Sequence, residues 1–149
     1  MRVSIGCDHG GYELKEYLVS NLKNDYDIID EGCYSKESVD YPMYAKKVSE
    51  DIQKGTARYG ILICTNGVGI TIAANKFKGI RCALALNEDM ASQSKLHNDA
   101  NILSMGAKNQ SKELALKIAK TFLTTEFSNE ERHLRRVNEI KSFEGELKC

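Results

Sequence analysis

The chain has no tryptophan, one proline, three histidines and no net charge, its 21 Lys+Arg balancing 21 Asp+Glu over 149 residues. A zero balance excludes a protein built to coat nucleic acid or an anionic membrane. Long apolar runs are missing too. Stretches such as Cys82 to Leu86 fall far short of the roughly 20 residues that span a bilayer. The opening Met1-Arg2-Val3-Ser4-Ile5-Gly6 enters a strand-like pattern at once, without the apolar core of a signal peptide. No C-x-x-C pair occurs, and the five cysteines (Cys7, Cys33, Cys64, Cys82 and Cys149) are odd in number and widely spaced. That pattern predicts neither a disulfide framework nor a zinc site, and a cytoplasmic, reduced protein is expected. Cys7, Cys64 and Cys82 lie in or beside apolar runs, where a small buried hydrophobe is the ordinary role. No linker or repeat divides the chain, so one domain over 1–149 is expected.

What is present is an alternation of short apolar runs with longer amphipathic stretches. Arg2 to Cys7, Asp27 to Glu31, Tyr59 to Cys64, Arg81 to Leu86 and Ile102 to Met105 read as strands. Helices are predicted over Tyr12 to Asn24, from Pro42 to about Lys54, from the glycine-containing turn after Cys64 to near Lys76, from about Glu88 to Leu96, and from Ser111 to about Thr124. Pro42 suits a first helical turn, and Ser111 is a side-chain cap. A last amphipathic helix runs from about 130 to 146, with Leu134, Val137, Ile140 and Phe143 as its apolar face. Strands alternating with helices predict right-handed crossovers. The fold class is therefore α/β, a Rossmann-like, doubly wound, five-stranded parallel sheet with helices on both faces. Ligands of such sheets bind beyond the carboxyl ends of the strands, near the switch in strand order.

Polar and reactive residues collect in the loops that follow the strands. His9 shares the first of these with Asp8, within Cys-Asp-His-Gly-Gly. His97 precedes the fifth strand, and His133 sits in Glu-Arg-His-Leu-Arg-Arg, where a solvated surface position is expected. The segment Cys64-Thr65-Asn66-Gly67-Val68-Gly69 places a thiol at the end of a buried strand, facing the N–H groups of a tight turn. Those donors suit an anion or a developing oxyanion; the alternative is a turn that uses glycine for geometry beside an inert Cys64. A dinucleotide fingerprint is incomplete, because position 72 is Ile, and a P-loop is absent. Arg132 and Arg136 lie four apart on one helical face and could grip a phosphate, as could Lys108; a solvated face is the plainer reading of each.

Taken together, Asp8-His9-Gly10-Gly11, Asp40-Tyr41-Pro42, Cys64 to Lys76, Gly79-Ile80-Arg81, His97-Asn98-Asp99-Ala100-Asn101 and the Arg132…Arg136 pair resemble the ribose-5-phosphate isomerase B family. That family includes the galactose-6-phosphate isomerase subunits, and the resemblance runs in order over nearly the whole chain. It implies aldose–ketose interconversion of a sugar phosphate through a cis-enediolate, a step of pentose phosphate metabolism, with no metal or other cofactor. Cys64 would be the base between C1 and C2, with the N–H groups of Thr65, Asn66, Gly67, Val68 and Gly69 holding the enediolate oxygens. His97 would open the sugar ring, assisted by Asp8 and Tyr41, and Asn98 would bind substrate. His9, Lys108, Arg132 and Arg136 would surround the phosphate. A homodimer or dimer of dimers with shared active sites is implied, with the last helix packed on the partner; nucleic-acid and membrane partners are not.

Two positions depart from the family pattern. Thr65-Asn66 stands where members usually carry Gly-Thr or Gly-Ser, and Lys108 where Arg is common. An Asn amide can donate to an oxyanion but cannot relay a proton as a hydroxyl does, while Asn also tolerates left-handed backbone geometry. Lys offers a point charge in place of a bidentate fork. The resemblance therefore admits three readings: a pentose-phosphate isomerase, the same chemistry on allose or galactose 6-phosphate, or a silent sugar-phosphate-binding domain.

Overall fold

The apolar runs become five parallel strands in a computed structural model that describes residues 1–145. They are β1 (Arg2–Cys7), β2 (Asp27–Gly32), β3 (Tyr59–Cys64), β4 (Cys82–Leu84) and β5 (Ile102–Gly106). Their order across the sheet is β2-β1-β3-β5-β4. The helices are α1 (Tyr12–Leu22), α2 (Tyr41–Gln53), α3 (Val68–Ala74), α4 (Glu88–Asn98), α5 (Lys112–Thr124) and α6 (Glu131–Phe143), and a 3-10 turn spans His9–Gly11. Among the described residues no helix is long and apolar enough to cross a membrane.

Strand periodicity sorts the core. In β3, Ile61 and Ile63 point into a cluster with Leu14 and Leu18 of α1, Ala91 of α4, and Ile118 and Phe122 of α5. The alternate residues Leu62 and Cys64 face Ala45 and Val48 of α2 and Ile70 and Ala74 of α3. Both faces are covered, which is why β3 reads as an unbroken apolar run and not an alternating one. Each fully buried Ile or Leu contributes about 1.5–3 kcal/mol through apolar area removed from water. β1 and β3 are neighbours, and Asp8 N–H reaches Ile63 O at 3.1 Å just beyond their carboxyl ends. The connections from these two strands diverge, toward β2 on one side and away from it on the other, so the expected switch-point crevice lies between them.

Several expectations need correction. Only Cys82 to Leu84 pairs as strand at the sheet edge, since the Arg81 N–H goes to the Asn101 side chain and its guanidinium to Asp99 O, both in the loop before β5. Helix α3 stops at Ala74, where the Asn75 side chain turns aside to bond both Cys82 N (2.8 Å) and Cys82 O (2.9 Å). Helix α4 continues through His97 and Asn98 and ends at Asp99, which is left-handed at φ 49°. His97 is thus a last-turn helix residue, not a loop residue. The expected apolar face of α6 is only partly buried. His133 and Val137 turn inward, while Leu134, Ile140 and Phe143 stay exposed, Phe143 at 57%. The helix touches its own chain along too narrow a stripe to cover them. The predicted end of that helix near Glu146, together with Cys149, lies outside the described residues.

Candidate active site

The carboxyl end of β3 delivers Cys64, 5% exposed, to the crevice. Its sulfur accepts the Gly67 N–H at 3.1 Å, closing a tight turn around the Sγ. Gly67 adopts φ 79°, a left-handed geometry that an L side chain adopts only at a cost. A Cβ there would also lie 2.5 Å from Leu84 Cδ1 and 2.9 Å from Gly106 N. The left-handed residue of this turn is Gly67, whereas Asn66 keeps a negative φ, so its tolerance for that geometry is not called upon. Gly67→Ala is accordingly expected to cost about 2–5 kcal/mol, from backbone strain and overpacking together. An unchanged urea midpoint would show that the turn does not need glycine.

Loops on either side brace this turn. The Thr65 hydroxyl fills the space a side chain would take at Gly10, beside the Asp8 carboxylate. Asp8 is buried and accepts from Gly11 N–H at 3.0 Å, capping the 3-10 turn. From the other side, Ala107 N–H bonds Cys64 O at 2.9 Å, Lys108 N–H bonds Thr65 O at 3.1 Å, and Asn109 Nδ2 bonds Asn66 O at 3.0 Å. Tyr41, at the start of α2, lays its ring over Gly69, where a Cβ would meet Cζ at 2.6 Å. His9 Nδ1 lies 3.2 Å from Val39 N and from Val39 O, which ties its loop to the segment leading into α2. Between Gly10 and Lys108 opens a polar cleft of 390 Å³, with Gln110 and Lys112 on its wall. Asp8, His9, Tyr41, Cys64, Thr65, Asn66, Gly67, Val68, Gly69 and Lys108 thus form one cluster at the carboxyl edge.

The other candidates do not join it within one chain. After α4, Asn101 O accepts Gly60 N–H at 2.9 Å, so this stretch sits where β3 and β5 begin. His97 and Asn98 are therefore at the amino edge, with the length of β3, about 16 Å, between them and Cys64. Helix α6 lies along that same edge. Ser128 N–H, just before it, bonds Leu96 O at 3.2 Å, and Glu144 at its end accepts Gly79 N–H at 2.7 Å. Arg132 and Arg136 belong to this second cluster, with Arg132 Nε on Glu130 at 3.0 Å. Asn98 lines an apolar cavity of 430 Å³ walled by Arg81, Ile140 and Phe143. The expected gathering of His9, Lys108, Arg132 and Arg136 around one phosphate is not made by a single chain.

Other motif residues hold backbone. Asn101 accepts Arg81 N–H at 2.8 Å and donates to Gly79 O at 2.7 Å, and Arg81 bonds the Asp99 carboxylate and carbonyl at 2.7 Å each. Burial pushes the Cys7 thiol well above its ordinary value, with Cys33 adding to it, and Cys82 up to about 12, so both are the small hydrophobes expected. His133 overturns its expected surface placement. It is 3% exposed and stacks on His97 with ring centroids 4.2 Å apart. A hint was available in the spacing of His133 and Val137, which repeat on one helical face. Among the described residues no group of three or more His, Cys, Asp or Glu side chains is placed to hold a metal ion.

A thiol held in a backbone turn at the switch point of a parallel α/β sheet, in one cluster with an acid, a phenol and a lysine, is the arrangement of a ligand-binding α/β enzyme and suits proton transfer on a small polar substrate. The sequence model of the ribose/galactose isomerase family matches residues 3–140, and the chain belongs to that family. The chain is 40% identical to the ribose-5-phosphate isomerase B of Escherichia coli, with 96% of each covered. The ribose-5-phosphate isomerase B of Clostridium thermocellum superposes with a TM-score of 0.95 at 46% identity, over 98% of this chain and 99% of that one. The Mycoplasma genitalium protein of the same name, solved with bound ribulose 5-phosphate, has a TM-score of 0.93 at 34% identity, over 98% and 97%. The protein is an aldose–ketose isomerase.

Proposed function

We propose that this enzyme interconverts ribose 5-phosphate and ribulose 5-phosphate through a cis-enediolate, with Cys64 as the base that moves a proton between C1 and C2. The observation that carries this reading is the Cys64 sulfur itself, seated at the switch point under the Gly67 N–H in a chain of an isomerase family. Removing the C2 proton of the open-chain aldose puts negative charge on the C1 and C2 oxygens. The N–H groups of Thr65, Asn66, Val68 and Gly69 donate to those oxygens, where fixed dipoles are worth most in the transition state, while the Gly67 N–H, expected to join them, is held by the Cys64 sulfur. Asn66 adds an amide donor. Asp8 and Tyr41 flank the sugar hydroxyls, His97 opens the furanose ring, and Asn98 holds the substrate.

The split of the candidates between two sheet edges supports a homodimer, alone or paired into a tetramer, in which the partner's His97, Asn98, Arg132 and Arg136 complete the site around Cys64. His9 and Lys108 then meet the two arginines across the boundary and enclose the phosphate. Apolar surface supports this assembly on both sides: Val68 and Ile72 on α3, and Leu134, Ile140 and Phe143 on α6, are all exposed in the single chain. The free cysteines Cys7, Cys33, Cys64 and Cys82 suit a reducing, cytosolic compartment.

The test is ketose formation from ribose, allose and galactose phosphates by the purified protein. Fastest turnover is expected with ribose 5-phosphate. Preference for a 6-phosphate would move the assignment to a hexose, and no turnover of any sugar would leave only a binding domain. In the same assay Arg136→Ala is expected to raise KM about 10- to 100-fold with kcat little changed, since a charge-assisted phosphate contact is made in ground and transition states alike. An unmoved KM would remove Arg136 from the phosphate site.

A further inference from the structure

His133 is a buried ionisable group that the proposed chemistry leaves without a task. Its ring lies 4.2 Å from that of His97, tilted by 37°, on the side turned into the protein. Its Nδ1 is 2.7 Å from Ser128 Oγ. That oxygen also accepts the Glu130 N–H at 3.3 Å, so Ser128 joins the start of α6 to the His133 ring. The Ser128 backbone N–H bonds Leu96 O, one residue before His97. His133 and the turn carrying His97 are therefore tied to the same serine. The groups facing His133 are His97 on α4, and Arg132, Arg136 and Glu130 in or beside α6. Burial first, then His97 and the two arginines, hold its imidazole below the ordinary pKa, against Glu130. The nearby His97 ring adds to burial in disfavouring the charged form of His133.

We propose that His133 is a positioning residue, a clamp that fixes the ring of His97 for opening of the furanose. Ring opening takes the proton from the O1 hydroxyl, forms the C1 carbonyl, breaks the bond from C1 to O4, and returns a proton to O4. One imidazole must reach both oxygens in turn, so rotation of the ring about its side-chain bonds would interrupt the transfer. Stacking on His133 covers one face of the ring and leaves its edge, with both nitrogens, for the sugar. Misplacing a reacting group by about 1 Å can cost roughly 100-fold in rate.

The proposal rests on the assignment of His97 and of ribose 5-phosphate, and its test separates the two. Ribulose 5-phosphate has its C5 oxygen blocked by phosphate and forms no furanose, so exchange of its C1 proton with solvent deuterium needs no ring opening. For His133→Ala, turnover of ribose 5-phosphate is expected to fall about 10- to 100-fold, with deuterium exchange into ribulose 5-phosphate within about twofold of wild type. His133→Phe retains the stacked ring without the nitrogens and is expected to recover turnover to within about threefold. Equal loss in both reactions for the Ala and Phe variants, or no loss in either, would overturn the clamp while leaving the isomerase reading in place. Wild-type protein that fails to turn over ribose 5-phosphate would overturn the reading and the clamp with it.

Discussion

Cys64→Ala is expected to reduce kcat for ribose 5-phosphate by about 10²- to 10⁴-fold, the range that a positioned general base contributes. The change removes one sulfur from a site only 5% exposed, so the fold should persist. A urea or thermal unfolding curve on the same sample checks that. Cys64→Ser sharpens the result, because a hydroxyl in the same place is a much weaker base than a thiolate and should rescue little. Deuterium exchange at C1 of ribulose 5-phosphate should vanish in both variants, since that exchange reports the base directly. Turnover within tenfold of wild type in either variant would assign the proton transfer to another group, with the buried Asp8 carboxylate of the same cluster the next candidate.

The second large effect is a recovery. Cys64→Ala and His97→Ala should each be nearly inactive alone. Mixed in equal amounts and allowed to exchange subunits, they should regain about a quarter of wild-type activity. Random pairing makes about half the dimers mixed, and in a two-fold assembly each mixed dimer holds one site with both residues intact and one with neither. The expectation follows from the distance between the clusters: Cys64 ends β3, while His97 sits beside the start of β5. A mixture no more active than its parts, after exchange has been verified, would mean that each chain works with its own His97.

How much of this was legible in the chain depended on the range of the interactions involved. β1 and β3 fall where their apolar runs predict, because a strand covered on both faces leaves a local signature. The cap at Ser111 is equally local, its hydroxyl accepting Leu114 N–H at 3.2 Å. Burial of charge was not legible. Lys15 is fully enclosed by its bonds to Asp30 (2.6 and 2.7 Å), and Lys95 lies 3.9 Å over the Tyr59 ring, partners 15 and 36 positions away in sequence. His133 is the same case, hidden by α4 rather than by its own helix. The motif residues were found by resemblance, and their division between two edges follows from the parallel topology: a crossover helix returns the chain to the amino edge, so His97 and Asn98, ending α4 just before β5, lie opposite the carboxyl ends that carry Cys64.

The peptide of Gly67 uses every group it has. Its N–H holds the Cys64 sulfur, and its carbonyl takes the Thr71 hydroxyl at 2.6 Å and the Ser104 hydroxyl at 2.9 Å. Ser104 is fully buried in β5, so the turn is anchored to the centre of the sheet. The conformational entropy of the turn from Cys64 to Gly67 is therefore lost when the protein folds, not when a ligand arrives. On the proposed mechanism, substrate would meet a thiol whose surroundings are already ordered, leaving its binding free energy available for opening the ring and stabilising the enediolate.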